Sequence, residues 1–193
     1  MCHAFLSDSN FWALLFRIDE DLAAQIRAGG CPHCGGALHQ SNYPRKPRGV
    51  ARAVLGPQYE QRLSLCCSRE GCRRRRTPAS VRFLGARVYL GAVVTLVSAL
   101  AHGLNGRRAA LLCAQFGTSV RTLERWRQWW TQRFVATSLW SQIRGRLASA
   151  VAPAQLPAGL LERVSGADVA TRMTQLLGLL APLTTSPLSR EGV

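Results

Sequence analysis

Cys31-Pro32-His33-Cys34-Gly35-Gly36 and Cys66-Cys67-Ser68-Arg69-Glu70-Gly71-Cys72 are the two stretches that decide how this chain folds. Zinc prefers four thiolate or imidazole ligands in a tetrahedron, and a C-x2-C turn delivers two thiolates from one tight loop. Gly35 and Gly36 stand where the chain must turn sharply after Cys34. The second pair is Cys72 with either Cys66 or Cys67. Leu63, Leu65 and Cys67 alternate on one face of a strand leading into this turn, which favours Cys67. His33 and His39 are alternative donors, although each reads more simply as a loop histidine. A ribbon of this size buries too little apolar surface to fold by itself. Bound Zn²⁺ is therefore expected to be structural, with four protein ligands and no open position for water.

The chain has 193 residues, enough for one moderate domain or two small ones. Its formal net charge is +15, and Lys46 is the only lysine. Such a charge calls for a polyanionic partner, and arginine adds bidentate contacts to phosphates and guanine edges. Seven cysteines, an odd number, and a start without the basic-then-apolar pattern of a secretory signal point to a reducing cytoplasm. The apolar stretch from Val88 to Leu104 is short and interrupted by Gly91, Ser98, His102 and Gly103, so it reads as a buried helix and not a membrane span.

Ahead of the cysteines, Phe11, Leu14, Leu15, Ile18, Leu22 and Ile26 recur at helical spacing, with Ser9 or Asn10 as N-cap and Gly29-Gly30 as the stop. Asp19, Glu20 and Asp21 form an acidic patch on that helix, read as a solvated face or as a contact for a basic partner or for the protein's own basic half. Tyr43-Pro44-Arg45-Lys46-Pro47-Arg48-Gly49 is a proline-broken basic loop suited to the tip of a hairpin. Tyr59 to Cys67 should return as a strand. Arg73-Arg74-Arg75-Arg76 follows the second turn, either as a solvated linker or as backbone contact with nucleic acid. Arg82 to Gly103 is expected as a long, mostly buried helix, after a strand or turn around Val81-Arg82-Phe83. The isolated His102 would then be a core residue.

Arg107 to Gln115, Gly117 and Ser119 to Gln128 carry the spacing of a helix-turn-helix: small Cys113, Gly117 at the turn, Ser119 as N-cap, then Leu123 and Trp126 facing inward. A helical hairpin with a merely charged face has the same pattern. In the first reading Ser119, Arg121, Thr122, Arg125 and Gln128 face bases in the major groove. Arg45, Lys46, Arg48, Arg73, Arg74, Arg75, Arg76, Arg107, Arg108, Arg127 and Arg133 hold phosphates. Trp129 and Trp130 read as core. A helix from Thr137 to Ala150 and leucine-rich helical patterns from Leu160 to Leu180 complete the chain, before a loose tail from Pro182.

CPHCGG, YPRKPRG, CCSREGCRRRRTPASVRFLG and RTLERWRQWW together resemble zinc-ribbon and helix-turn-helix proteins of bacterial insertion sequences, over roughly Cys31 to Phe134. The resemblance implies zinc on Cys31, Cys34, Cys67 and Cys72, and DNA contact from the helix between Ser119 and Gln128. The C-x4-C second turn departs from the usual C-x2-C. The expected fold is α+β and mostly α, with an N-terminal amphipathic helix (1–30), a zinc ribbon with a basic flank (31–84) and a helix-turn-helix domain (85–136). C-terminal helices (137–182) and a loose tail (183–193) follow.

Between Glu70 and Glu162 the only acidic residue is Glu124, so no carboxylate cluster for Mg²⁺ can be drawn from that part of the chain, and a non-enzyme is expected. Its partners would be duplex DNA, a separate transposase and a second copy of itself in a homodimer. The rival readings are an RNA-binding ribbon protein and a zinc-stabilised adaptor that uses the leucine-rich C-terminal region.

Overall fold

The computed structural model describes residues 4–84, 89–101, 105–147 and 149–185, which form an α+β, mostly α structure. Helix α1 spans Ser9–Ala28 and closes at Gly29. Its N-cap is Asp8, whose carboxylate accepts the Asn10 backbone N–H at 2.8 Å, in place of the expected Ser9 or Asn10. The buried line runs through Phe11, Trp12, Leu15, Asp19 and Ala23, while Leu14, expected inside, is 41% exposed.

Asp19 explains that rotation. Of the acidic patch only Glu20 and Asp21 face solvent; Asp19 is fully buried. One carboxylate oxygen accepts from Arg82 Nε at 2.8 Å and Ser80 Oγ at 2.5 Å, and the other accepts from the Val81 N–H at 2.7 Å. The remaining Arg82 nitrogens donate to the carbonyls of Gln58 and Gln61, each at 3.2 Å. Its guanidinium lies over the rings of Phe16, Tyr59 and Phe83 at 4.8 to 5.1 Å. The contact with the protein's own basic half is thus made by Asp19 and Arg82.

The ribbon is a three-stranded antiparallel sheet in the order β1-β4-β5, from β1 (Leu38–Gln40), β4 (Leu65–Cys67) and β5 (Arg75–Arg76). Beside it, β2 (Tyr43–Pro44) pairs with β3 (Gln61–Arg62). The expected Tyr59 to Cys67 strand is broken, because Pro57–Glu60 forms a 3-10 turn that buries Tyr59. Between β2 and β3 the chain leaves the ribbon. Helix α2 (Arg52–Leu55) and the 3-10 turn put Leu55 and Tyr59 into the main core beside Trp12, whose carbonyl accepts the Tyr59 hydroxyl at 2.7 Å.

The basic loop is therefore not a free hairpin tip. Arg48 bridges to Tyr89, and Gly49, at φ 101°, lies so close to α3 (Gly91–Leu100) that a Cβ would meet Val93 at 2.8 Å. The arginine run is not a linker either, since Arg75 and Arg76 form the edge strand β5.

Helix α3 starts at Gly91 and not at Arg82, because Arg82 is held by Asp19 and Phe83 pairs in extended conformation with Leu90. It is buried from Gly91 to Ser98, as expected of a helix that is apolar all round. Arg87, His102 and Gly103 lie outside the described residues. On α3 pack α5 (Val120–Gln128), α7 (Ala158–Arg163) and α8 (Val169–Leu180); α4 (Gly106–Phe116) packs on α5, and α6 (Ser138–Arg144, shorter than expected) joins the same core. Helix α5 continues into a π-helical turn, Trp129–Arg133, where Trp129 and Trp130 are core residues.

Met173, Leu176, Leu177 and Leu180 of α8 enter the same core. A 3-10 turn, Ala181–Thr184, follows where a loose tail was expected, and residues 186–193 lie outside the described residues. Residues on both sides of positions 30 and 84 share this core, whereas the ribbon has its own small cluster of Cys31, Leu38, Leu65 and Cys67.

Asp19→Ala should destabilise the protein by about 3–5 kcal/mol, because it leaves a buried guanidinium without its counter-charge. Urea denaturation followed by tryptophan fluorescence would measure the loss. A cost below about 1 kcal/mol would contradict the role given to this pair.

Candidate metal centre and nucleic-acid interface

The sulfurs of Cys31, Cys34, Cys67 and Cys72 all lie within 4.8 Å of one another. Cys31 and Cys72 are 3.8 Å apart, and Cys34 and Cys67 are 3.4 Å apart. A tetrahedral centre with metal–sulfur bonds of about 2.3 Å needs sulfur–sulfur distances of roughly 3.8 Å. The four thiols are therefore gathered close to the spacing of a metal tetrahedron.

Both turns are built for sulfur. In the first, the Cys31 carbonyl accepts the N–H groups of Cys34 and Gly35, and the Gly36 carbonyl accepts that of Cys31. The His33 backbone N–H bonds the Cys31 sulfur and, with further hydrogen bonds from Cys34 and Cys72, holds the thiol down at about 7. The second turn has the longer spacing and keeps the same device, with the Arg69 backbone N–H aimed at the Cys67 sulfur. Against that lowering bond, burial and the three neighbouring thiols push Cys67 up to about 12. Within the C-x4-C turn Gly71 takes a left-handed conformation at φ 82°, and Arg73, just past Cys72, does so at φ 42°.

A Cβ on Gly36 would stand 3.2 Å from the Cys67 sulfur and 3.4 Å from that of Cys34, so no larger residue sits there comfortably. The open choice between Cys66 and Cys67 is resolved by the sheet. Leu63, Leu65 and Cys67 all point into the interior, while the Cys66 thiol turns away and donates to the Arg73 carbonyl at 3.3 Å. His39 pairs with Cys66 across β1 and β4 and is exposed. His33 is exposed and meets an Arg74 guanidinium nitrogen through its Nε2. Neither histidine belongs to the four-sulfur cluster.

The helix-turn-helix geometry lies in α4, the turn and α5. Gly117 adopts the left-handed conformation at φ 58°, and the Ser119 hydroxyl accepts the Thr122 N–H at 3.3 Å to cap α5. Thr122, Leu123 and Trp126 are buried, and Arg121, Arg125 and Gln128 share the exposed face. Thr122, expected among the base contacts, is instead turned inward: its hydroxyl lies 3.1 Å from Ser119 Oγ and accepts from Arg125 Nη2, also at 3.1 Å. Val120, 50% exposed, and Glu124 belong to the outer face too. Neither is expected among the contact residues: an isolated valine carries no motif, and Glu124 reads in the sequence only as a lone acidic residue. Arg107, Arg108, Arg127 and Arg133 are exposed.

The remaining cations divide. Lys46, Arg48, Arg73, Arg74 and Arg76 are exposed. Arg75 is spent on the ribbon: it donates to the Ser41 carbonyl at 3.0 Å and the Ser41 hydroxyl at 3.2 Å, and its guanidinium lies 5.8 Å from the centre of the Tyr43 ring. Arg45 lies over the same ring at 5.2 Å. Arg62, which the charge reading passed over, is buried and donates to the Pro78 carbonyl at 2.5 Å, and burial lowers its pKa. Among the described residues no helix is long and apolar enough to cross a membrane.

No family model, curated protein or solved structure matches this chain. The likeness to insertion-sequence proteins rests on the quoted motifs alone.

Cys67→Ser should abolish binding of one metal equivalent, measured by elemental analysis after gel filtration, whereas Cys66→Ser should retain it. Equal loss in both variants would overturn the assignment. Because thiols must lose their protons to bind metal, uptake should release protons and the bound metal should be lost as pH falls.

Proposed function

We propose that this chain is a DNA-binding accessory or regulatory protein of a bacterial mobile element. In this reading a zinc-stabilised ribbon and a helix-turn-helix act together on duplex DNA. The observation that carries it is the outer face of α5, where Arg121, Arg125 and Gln128 stand exposed together beyond a left-handed glycine turn and a serine cap. Arginine suits guanine O6 and N7, and glutamine suits adenine N6 and N7. The exposed arginines of the ribbon and of α4 supply sequence-independent attraction to phosphate.

Zinc is the metal this reading assigns to Cys31, Cys34, Cys67 and Cys72. An all-sulfur set close to tetrahedral spacing suits it, and four protein ligands make the role structural. Four thiolates around a divalent cation leave a net negative centre, which the adjacent Arg69, Arg73 and Arg74 would offset. Part of the arginine run thus serves the ribbon and part remains for a partner. The reading involves no catalytic step, and any transposition chemistry belongs to a separate chain. A reducing cytoplasm fits an all-thiolate centre.

One observation favours an RNA-binding ribbon as the second reading. Tyr43 is flanked by the guanidinium groups of Arg45 and Arg75, a grouping related to the aromatic and cationic platforms that hold single-stranded bases. Of Leu176, Leu177, Leu179 and Leu180, which suggested the adaptor reading, three are buried in the chain's own core and Leu179 is 41% exposed, which weakens that reading.

Selection from a random duplex pool by the zinc-loaded protein at physiological salt should return a motif. Arg125→Ala should relax preference at one position at a cost of about 1–3 kcal/mol, while Arg74→Ala should weaken all duplexes alike and flatten the salt slope by about one. Retention of single-stranded RNA in preference to every duplex would turn the assignment to the RNA reading.

A further inference from the structure

Tyr89 touches three elements at once. Its backbone bridges to Arg48 of the basic loop, its ring meets Trp126 of α5 edge-on at 5.0 Å between centres, and its hydroxyl donates to the Gly117 carbonyl at 3.0 Å. Gly117 is the turn of the helix-turn-helix, two residues before the cap of α5. One tyrosine therefore joins the basic loop to the beginning of the exposed helix. The loop has little freedom to drift from that joint. Gly49 lies against Val93 with no room for a Cβ, and the Arg45 N–H bonds the Glu60 carbonyl at 2.5 Å. Lys46 and Arg48 are nonetheless exposed.

We propose that the basic loop and the first turn of α5 form one continuous surface for duplex DNA, in which Arg48 holds a backbone phosphate beside the base pair read by Arg121, and Tyr89 is the positioning residue that sets this register. The proposal rests on the DNA reading above and adds its geometry. The length scale suits it. A β-bridge sets the two backbones about 5 Å apart, and a tyrosine side chain spans the rest of the way to Gly117. The major groove is about 12 Å wide. A cation carried one bridge and one phenol away from the helix start is thus placed for the phosphates that border the groove, not for the base edges within it. Such contacts orient a protein on the duplex without reading sequence.

The test uses the full-length, zinc-loaded protein on its selected duplex, with phosphate-ethylation interference and salt-dependent affinity as readouts. In wild type one interfering phosphate should flank the base pair whose preference relaxes in Arg121→Ala. Arg48→Ala should remove that interference alone, reduce the salt slope by about 0.9 and leave base preference intact. Tyr89→Phe, which keeps the ring on Trp126 and loses only the hydroxyl bond, should weaken the same phosphate. In that background Arg48→Ala should change the slope by less.

A purely structural role for Tyr89 would lower affinity while leaving the Arg48 effect at full size, and that result overturns the positioning role. Interference placed beside the Gln128 base pair, or unchanged in Arg48→Ala, overturns the composite surface while the DNA reading stands. Failure of wild type to retain any duplex removes both. Far-ultraviolet circular dichroism and zinc content check that each variant is folded.

Discussion

Asp19 and Arg82 are the contact on which the rest of the structure depends. A carboxylate and a guanidinium, both fully buried, each need their hydrogen-bonding capacity met, and here the partners come from distant parts of the chain. Asp19 brings α1. Ser80, Val81 and Arg82 bring the segment leaving the ribbon, and the carbonyls of Gln58 and Gln61 bring the excursion between β2 and β3. Two charges cannot be hidden at this depth unless all these segments arrive together. The pair accordingly specifies how the ribbon's two exits are fastened to the helical body. It also explains why α3 begins only at Gly91, since the residues before it are committed elsewhere.

The ribbon solves a different problem. Its own core amounts to Cys31, Leu38, Leu65 and Cys67 with a few neighbours, too little apolar surface for independent stability. Two further sources of order converge on it. One is the four-sulfur cluster, whose turns direct backbone N–H groups at Cys31 and Cys67 and whose spacing is close to that of a metal tetrahedron. The other is attachment to the body through α1, whose Ile26 packs against the sulfur cluster. Charge is distributed to match: Arg75 supports the sheet from its edge strand, while Arg74 and Arg76 remain exposed around it.

The helix-turn-helix region is anchored from behind by aromatic packing. Trp126 meets Tyr89, and Trp129, Trp130, Phe134 and Trp140 form a contiguous stack of tilted and edge-on rings beneath α5 and the following turns. Such a base leaves the outer face of α5 to its polar residues. In the DNA-binding reading proposed above it would serve as the fixed platform that directional hydrogen bonds require.

Local pattern was enough for several features. The cysteine spacing and the period-two alternation of Leu63, Leu65 and Cys67 marked the four sulfurs that cluster, because a strand sends alternate side chains to one face. Gly117, Ser119 and the Leu123–Trp126 interval marked the turn, cap and inner face of α5, because those signals lie within one helical turn of the residues they govern. Tertiary structure alone decided the burial of Asp19, the true start of α3, the edge-strand role of Arg75 and Arg76, the inward rotation of Thr122 and the docking of the basic loop against Tyr89 and Val93. Except for Thr122, whose hydroxyl meets Ser119 and Arg125 within its own turn, each depends on a partner far along the chain, and no local periodicity records which distant group that will be.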